Sequence, residues 1–358
     1  MPNRMTPAQR AKTVYRGEKP DRIPFTVYES KVIGKPYEQE VRANDVCLLK
    51  RNVSWQIVTP HVQTKQQTIL TPEGHRRTQT FLETPYGTLR SATEVADKLD
   101  IDTSWNKERL FKSAEDYRKL MFYFQDMTIV KNDTAIADAA RLDQENGDVL
   151  VRDTIGLEPM QELISSIMGV ETFCYEWMDN RDEMEKLLAV MSERALEKAA
   201  IVAATPLSMA NYGGNVTPQI IGREAFMEHY MARYADAYPF FQQAGKLMGV
   251  HLDGSNAPIM DLIAQSKMDY VEAYDPSMSP PVHEAMRMFP DKILSINWPS
   301  ARQLGTRGQI MQATTDILAE VTDFNRFIMG ITEDIPSWKF AENIKAIADA
   351  LAQWGDLS

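Results

Sequence analysis

The stretch GVHLDG at residues 249–254 places an imidazole and a carboxylate two positions apart, directly after an apolar run. Successive side chains of a β-strand point to opposite faces, so His251 and Asp253 would share one face. In α/β proteins the functional residues follow the strands, because the carboxyl ends of parallel strands meet at one edge. The stretch therefore predicts a strand of an α/β fold with a candidate site at its carboxyl end.

Apolar strand candidates alternate with helical patterns on both sides of this stretch. From about residue 148 onward we expect strands at 149–151, 207–212, 247–251, 270–274, 293–298 and 327–331, each followed by a helical segment. Parallel strands joined by helices over this length, without a glycine-rich dinucleotide-binding turn, favour a (β/α)8 TIM barrel. A doubly wound open sheet is the alternative.

The amino-terminal residues add a helix in front of this barrel. Thr6 can cap a helix that begins with Pro7 and continues to Tyr15, which predicts an amino-terminal helical extension. A strand is predicted at residues 23–28, followed by a helix at about 36–50.

An insertion follows these elements. Alternating β-branched and aromatic residues predict an antiparallel β meander at about 53–92, near the barrel mouth. We expect one barrel domain over residues 1–358 that contains this β-rich insertion.

Composition excludes several classes of function. The formal net charge is −11 and the basic residues form no run, which argues against a nucleic-acid partner. The sequence has no stretch of 18 apolar residues, so no membrane-spanning segment is expected. The two distant cysteines, Cys47 and Cys174, cannot form a thiolate zinc site alone, and they predict a reducing, cytoplasmic setting.

Polar residues also stand at the ends of the strands that follow His251. If the strands are parallel, these side chains meet at one barrel mouth: Glu272, Asn297, Glu333 and Asp334. One imidazole with two or three carboxylates suits zinc with an open coordination position, or manganese or ferrous iron. Three of these residues also have a structural explanation: a backbone partner for His251, an ion pair for Glu272, and a cap for Glu333.

Several segments carry a family likeness: residues 6–24, 84–88, 250–254, 291–297 and 336–344. Through them the chain resembles the uroporphyrinogen decarboxylase-like superfamily, and within it the corrinoid-dependent methyltransferases. The resemblance spans nearly the whole chain and implies a (β/α)8 barrel, with a homodimer as a possible assembly.

Two differences from other members of this superfamily narrow the range of activities that the resemblance implies. The segment after the first strand, FTVYESK at residues 25–31, lacks the arginine with which porphyrinogen decarboxylases hold propionates. Thiol-methylating members hold zinc with His-x-Cys and a later cysteine, whereas here Asp253 and Glu333 stand in the two cysteine positions. This replacement resembles the branch that demethylates methoxylated aromatic compounds, which is similar across residues 271–276 and 330–336.

The resemblance implies methyl transfer from a small aromatic methyl ether to the Co(I) centre of a separate corrinoid (cobalamin-binding) protein. Zinc, or another divalent metal, would be held by His251, Asp253 and Glu333. Asp253 and Glu272 are the candidate catalytic residues, with Glu272 either a fourth ligand or the general acid. Side chains expected to shape the aryl pocket are Tyr28, Glu29, Tyr212 and Asn297.

Other functions on the same barrel stay open. The methyl donor could be a methylamine or a thiol, or the chain could be a metal-dependent hydrolase or lyase. A non-catalytic descendant that binds a corrinoid protein or a small ligand is a further alternative. The sequence carries no Asp-x-His-x-x-Gly motif, so we expect the cobalamin to come on a partner protein.

Overall fold

The computed structural model describes residues 4–95, 104–145, 147–214 and 216–357. The described strands are, in chain order, β1 (Phe25–Tyr28), β2 (Cys47–Asn52), β3 (Trp55–Val58), β4 (Gln63–Leu70), β5 (Arg76–Thr84), β6 (Gly87–Val95), β7 (Ser104–Glu108), β8 (Thr128–Lys131), β9 (Val149–Gly156), β10 (Met209–Tyr212), β11 (Leu247–His251), β12 (Tyr270–Tyr274), β13 (Ile293–Ile296) and β14 (Phe327–Ile331).

The described α-helices are α1 (Pro7–Tyr15), α2 (Glu38–Arg42), α3 (Asp116–Asp126), α4 (Asp133–Gln144), α5 (Pro159–Glu162), α6 (Val170–Asp179), α7 (Arg181–Ala203), α8 (Pro218–Ala225), α9 (Ala232–Gln243), α10 (Met260–Gln265), α11 (Val282–Met288), α12 (Arg307–Ala319) and α13 (Ser337–Trp354). Two π-helical segments, Leu163–Met168 and Phe226–Met231, follow α5 and α8. No helix in the described ranges combines the length and apolar character needed to cross a bilayer.

The strands β1, β2 and β9 to β14 close into a barrel in which each strand neighbours the next one along the chain. The final strand, β14, returns to pair in parallel with β1. This closed order is that of a (β/α)8 barrel, so the fold prediction is confirmed and the open-sheet alternative is wrong. All carboxyl ends therefore meet at one mouth, where the candidate residues were expected.

The region 36–50 differs from the sequence-based expectation of one helix. The helix α2 covers only Glu38–Arg42, and Cys47–Asn52 is the second barrel strand. Cys47, Leu48 and Leu49 are all buried, because this strand packs on both of its faces. A strand buried on both faces loses the alternation that identifies strands in a sequence, so its short apolar run resembled a continuing helix.

The helix α1 packs against the ends of the barrel strands opposite the mouth. Thr6 and Gln9 form a capping box at its start, as the sequence predicted for Thr6. Buried residues of α1 share a core cluster with the first residues of several strands, among them Cys47, Tyr270 and Ile293. The rings of Tyr15 and Tyr270 meet edge to face with centroids 5.3 Å apart. The predicted amino-terminal extension is thus part of the barrel core.

The segment between β2 and β9 contains the predicted antiparallel insertion. Strands β4 to β7 form one four-stranded sheet, and β3 pairs with β8. The contacts divide the chain into two compact units, one within Met1–Ser54, Asn132–Ile155 and Val202–Ser358, the other within Trp55–Lys131 and Gly156–Ile201. The first unit holds the barrel strands, and the second holds both antiparallel sheets. That the whole chain acts as one domain, with its insertion near the mouth, stays a prediction.

Gly249 in β11 makes room for a buried tyrosine inside the barrel. A Cβ atom at this position would lie 2.2 Å from Cε2 of Tyr270, whose hydroxyl donates to the carbonyl of Ala210 at 2.8 Å. Gly249→Ala should lower the free energy of unfolding by about 1–3 kcal/mol, because the ring must move. Chemical denaturation tests this against Gly308→Ala on α12, where nothing lies within 4 Å and stability should hold or rise. An unchanged Gly249→Ala would contradict the tight packing.

Candidate metal site

Three of the predicted residues converge at the barrel mouth. His251 is the last residue of β11, Asp253 follows in the next loop, and Glu333 lies two residues after the end of β14. Each offers a ligand atom, and these atoms all lie within 4.8 Å of one another. His251 Nε2 is 3.6 Å from Asp253 Oδ2. The arrangement brings together the nitrogen and two carboxylates that the sequence proposed as ligands.

The charges of this cluster influence one another strongly. Burial disfavours the imidazolium of His251, but the hydrogen bonds and charges of Asp253 and Glu272 outweigh it and raise the pKa of His251 to about 9. The protein around Glu333 disfavours its charge although the side chain is exposed, and with the charge of Asp253 this raises the pKa of Glu333. The site therefore holds two carboxylates close enough to repel each other.

These donors suit a divalent cation. Imidazole nitrogen and carboxylate oxygen both bind zinc, and three protein ligands leave a coordination position open, as in catalytic zinc sites. A bound cation would also offset the repulsion by Asp253 that, after burial, contributes to the raised pKa of Glu333. Neither cysteine contributes: Cys47 lies in the core cluster at the strand starts, and Cys174 is exposed on α6. The residues present thus fit the predicted zinc or other divalent ion with oxygen-rich ligation.

Glu272 approaches the other ring nitrogen of His251, with its Oε2 3.8 Å from Nδ1. It is the residue of β12 in register with His251 of β11. Its Oε2 accepts from Asn211 Nδ2 at 2.6 Å and pairs with Arg152 at 3.0 Å, while Oε1 accepts from the Tyr28 hydroxyl at 3.0 Å. Burial disfavours its charge, but the guanidinium of Arg152 outweighs it and lowers the pKa of Glu272 to about 2. Glu272 is a buried, paired carboxylate.

A bulge in β12 follows Glu272 directly. Ala273 has φ +61°, the left-handed region that costs a residue with a Cβ about 1–2 kcal/mol. The register with β13 shifts between Val271 and Tyr274 at the same place. Bulges of this kind redirect a side chain and occur next to functional sites. The strained backbone at Ala273 sets the direction of the strand immediately after Glu272.

Tyr28 also contacts the imidazole. Its hydroxyl is 2.9 Å from His251 Nδ1 and 3.0 Å from Glu272 Oε1. The guanidinium of Arg51 lies 4.5 Å above the ring centroid, a cation–π contact. The side chain of Tyr28 is buried, so it contacts His251 from inside the barrel.

Two other residues proposed for the aryl pocket have different surroundings. Glu29 begins the short turn after β1, receives the backbone N–H of Ser30, and lies 3.9 Å from Lys50 Nζ. Tyr212 ends β10, is buried, and packs against the ring of Tyr234 with centroids 5.5 Å apart. The substrate role of both residues stays a prediction.

Contacts at the ends of β13 and β14 fix the loop that carries the third candidate ligand. Asn297 accepts the backbone N–H of Thr332 at 2.9 Å and donates to Ser300 Oγ at 3.2 Å. Asp334 forms an ion pair with Lys31 from the turn after β1. Asn297 therefore connects two strand ends, and Asp334 is occupied by a lysine.

Three residues outside the predicted set of site residues support the imidazole. Arg152 and Asn211 come from β9 and β10 and contact Glu272 across the barrel. Gly214 packs its backbone on His251, since a Cβ there would lie 2.1 Å from the ring atom Cδ2. The available signal was an arginine within an apolar strand, because arginine is seldom buried without a partner.

Comparison with known sequences gives no match, either to a family model or to a curated protein. Comparison with solved structures does give matches. A methyltransferase from Methanosarcina mazei is 12% identical with a TM-score of 0.58, and the match covers 98% of this chain and 99% of that chain.

A B12-independent methionine synthase from Shewanella sp. W3-18-1, solved in complex with selenomethionine, is 9% identical with a TM-score of 0.46. That match covers 88% of this chain and 84% of the other. At these identities the likeness to the Methanosarcina mazei structure is evidence for the fold of this chain, in agreement with its closed parallel barrel.

Proposed function

We propose that this protein is a methyltransferase that moves the methyl group of a methoxylated aromatic compound to the Co(I) corrinoid of a separate protein. The observation that carries the proposal is the convergence of His251, Asp253 and Glu333 within 4.8 Å at the barrel mouth. The similar fold of a methyltransferase from Methanosarcina mazei and the sequence resemblance described above agree with it.

In the proposed reaction the bond between the methyl carbon and the ether oxygen breaks, and a methyl–cobalt bond forms on the corrinoid. The leaving phenoxide takes up one proton, and a phenol has a pKa near 10, so it is a poor leaving group. A divalent ion in this site would act as a Lewis acid on the ether oxygen, an effect of several kcal/mol on the barrier. Cobalt supplies the nucleophile, so the protein needs no serine or cysteine nucleophile.

The protein residues then hold and orient the reacting groups. His251, Asp253 and Glu333 would bind the ion, with oxygen donors where thiol-methylating relatives use sulfur. The contacts of Glu272 favour a role through His251, because its oxygens already accept from Arg152, Asn211 and Tyr28. The two earlier hypotheses for Glu272, fourth ligand or general acid, stay predictions, as does the catalytic role of Asp253.

The corrinoid partner would dock at the mouth, because cobalt must reach the methyl group. Large apolar side chains are exposed after three neighbouring barrel strands: Met278 after β12, Leu304 after β13 and Trp338 after β14 are 57%, 68% and 72% exposed. Exposed apolar and aromatic residues of this kind are typical of protein interfaces. A homodimer, which the resemblance implies, stays a prediction.

The test is methyl transfer in a defined mixture. Zinc-loaded protein, a reduced corrinoid protein and a series of methoxybenzoates should give methyl–Co(III) and one phenol per methyl group, followed by absorbance and chromatography. No transfer from any methoxyarene would overturn the proposal. Transfer only from a methylamine or a methyl thioether would replace the donor class, and substrate cleavage without corrinoid would indicate a hydrolase or lyase.

A further inference from the structure

We propose that Glu272 and Tyr28 form a hydrogen-bond relay that keeps a proton on Nδ1 of His251 and leaves Nε2 for the metal. In this assignment both are positioning residues for His251, anchored by Arg152 and Asn211. The inference rests on the metal site of the proposed function, and it adds how the chain sets the orientation and protonation of the imidazole ligand.

Glu272 accepts hydrogen bonds on both of its carboxylate oxygens. A carboxylate beside a buried guanidinium is ionised and can only accept hydrogen bonds. Its Oε2 faces two donors, Arg152 Nη1 at 3.0 Å and Asn211 Nδ2 at 2.6 Å. Its Oε1 faces the Tyr28 hydroxyl at 3.0 Å. The hydroxyl of Tyr28 must therefore donate its proton to Glu272.

The hydroxyl of Tyr28 has a single proton to donate. Since Tyr28 donates to Glu272, only the lone pairs of its oxygen remain for His251 Nδ1, 2.9 Å away. That nitrogen must then be the donor and carry a hydrogen. Metal-binding histidines commonly donate their second ring N–H to a fixed acceptor, which sets the tautomer. Here the acceptor is a tyrosine whose own proton is directed by a carboxylate.

The other ring nitrogen of His251, Nε2, faces the candidate metal ligands. Nε2 of His251 lies on the side of Asp253, 3.6 Å from its Oδ2. The backbone of Gly214 packs against the ring edge, where even a methyl group would lie 2.1 Å from Cδ2. This packing opposes rotation of the ring. A metal ion bound by Asp253 and Glu333 would meet the lone pair of Nε2.

The variant Glu272→Gln distinguishes the relay from a role in packing alone, because glutamine fills the same space but reverses the direction of the hydrogen bonds. Arg152 and Asn211 both donate to the Oε2 side, so the glutamine oxygen must face them and its NH2 must face Tyr28. The hydroxyl of Tyr28 would then accept from the amide and donate to His251 Nδ1. That nitrogen would lose its hydrogen, and in the neutral ring the hydrogen would stand on Nε2, where the ion binds.

The experiment compares zinc affinities by competition with a chelator. Tyr28→Phe should weaken binding by about 10–100-fold, since one supporting hydrogen bond is lost. Glu272→Gln should weaken it by about tenfold more, although it keeps every hydrogen-bonding position filled. The double variant should bind more tightly than Glu272→Gln alone, because without the hydroxyl nothing enforces the wrong tautomer.

Glu94→Gln is the matched control. Glu94 is also buried and accepts from an arginine and a histidine, Arg77 and His75, in the four-stranded sheet. This variant should keep the zinc affinity of the wild type. Thermal unfolding of each metal-free variant identifies losses that come from folding rather than from the ligand.

Two outcomes overturn the inference while leaving the metal site intact. One is zinc binding by Glu272→Gln as tight as by Tyr28→Phe. The other is nitrogen-15 NMR of the zinc-loaded wild type in which Nδ1 of His251 carries no hydrogen. A wild type that binds no zinc overturns the metal site and the relay together, so failure of the relay alone is distinguishable.

Discussion

Arg152→Met is expected to lower the free energy of unfolding by about 3–5 kcal/mol, the cost of leaving a buried charge without its partner. Arg152 is 2% exposed and its guanidinium lies 3.0 Å from Glu272 Oε2. Methionine fills similar space but offers no charge and no donor to the carboxylate. Urea denaturation of the metal-free protein at neutral pH measures the loss.

Arg51→Met is the matched control for this change. Arg51 stands in register with Arg152 on the neighbouring strand β2, but it is exposed and contacts the ring of Tyr28. Losing that cation–π contact should cost only about 0.5–1 kcal/mol. The double change Arg152→Met with Glu272→Leu should restore much of the lost stability, because no unpaired charge remains. Equal losses for Arg152→Met and Arg51→Met would contradict a dominant role for the buried pair.

His251→Ala is expected to abolish stoichiometric zinc binding and to reduce methyl transfer by about a thousandfold. The rate estimate follows from losing a Lewis-acid effect of several kcal/mol, at about tenfold per 1.4 kcal/mol. Zinc content by mass spectrometry and the initial rate with a methoxybenzoate measure the two effects. Because His251 holds the only nitrogen donor of the cluster among the described residues, no neighbour can replace it.

His283→Ala provides the comparison for this variant. His283 is on α11 with a side chain 58% exposed, and its ring lies 3.5 Å from Glu320. Its removal should leave both zinc content and rate unchanged. A His251→Ala protein that retains one zinc per chain and a rate close to the wild type would exclude His251 as a ligand.

The strand order of the barrel could be predicted because most of its strands are recognisable in the sequence. Apolar runs such as residues 270–274 are separated by helical patterns, and parallel strands connected in this way favour a barrel. The strand β2 could not be recognised, since Cys47–Asn52 has too few residues to distinguish a doubly buried strand from a helix end.

The convergence of His251, Asp253 and Glu333 could also be predicted, because residues at the carboxyl ends of parallel strands meet at one mouth. The support behind them could not. Arg152 and Asn211 reach Glu272 from strands far away in the sequence, and only the closed barrel brings them together. The bulge at Ala273 could not be predicted either, since alanine has no preference for the left-handed backbone that it adopts there.

The long segment between β2 and β9 has a consequence for how the protein folds. These strands are neighbours in the barrel, with Leu48 beside Val149, yet the segment Trp55–Lys131 of the second compact unit lies between them in the chain. Loop closure costs only about 0.6 kcal/mol for each doubling of length, so the native state tolerates this separation. Folding rates, however, fall as contacts become distant in sequence. Refolding should therefore be slow at this seam, and a nascent chain can pair β2 with β9 only after the segment Trp55–Lys131 has been synthesised.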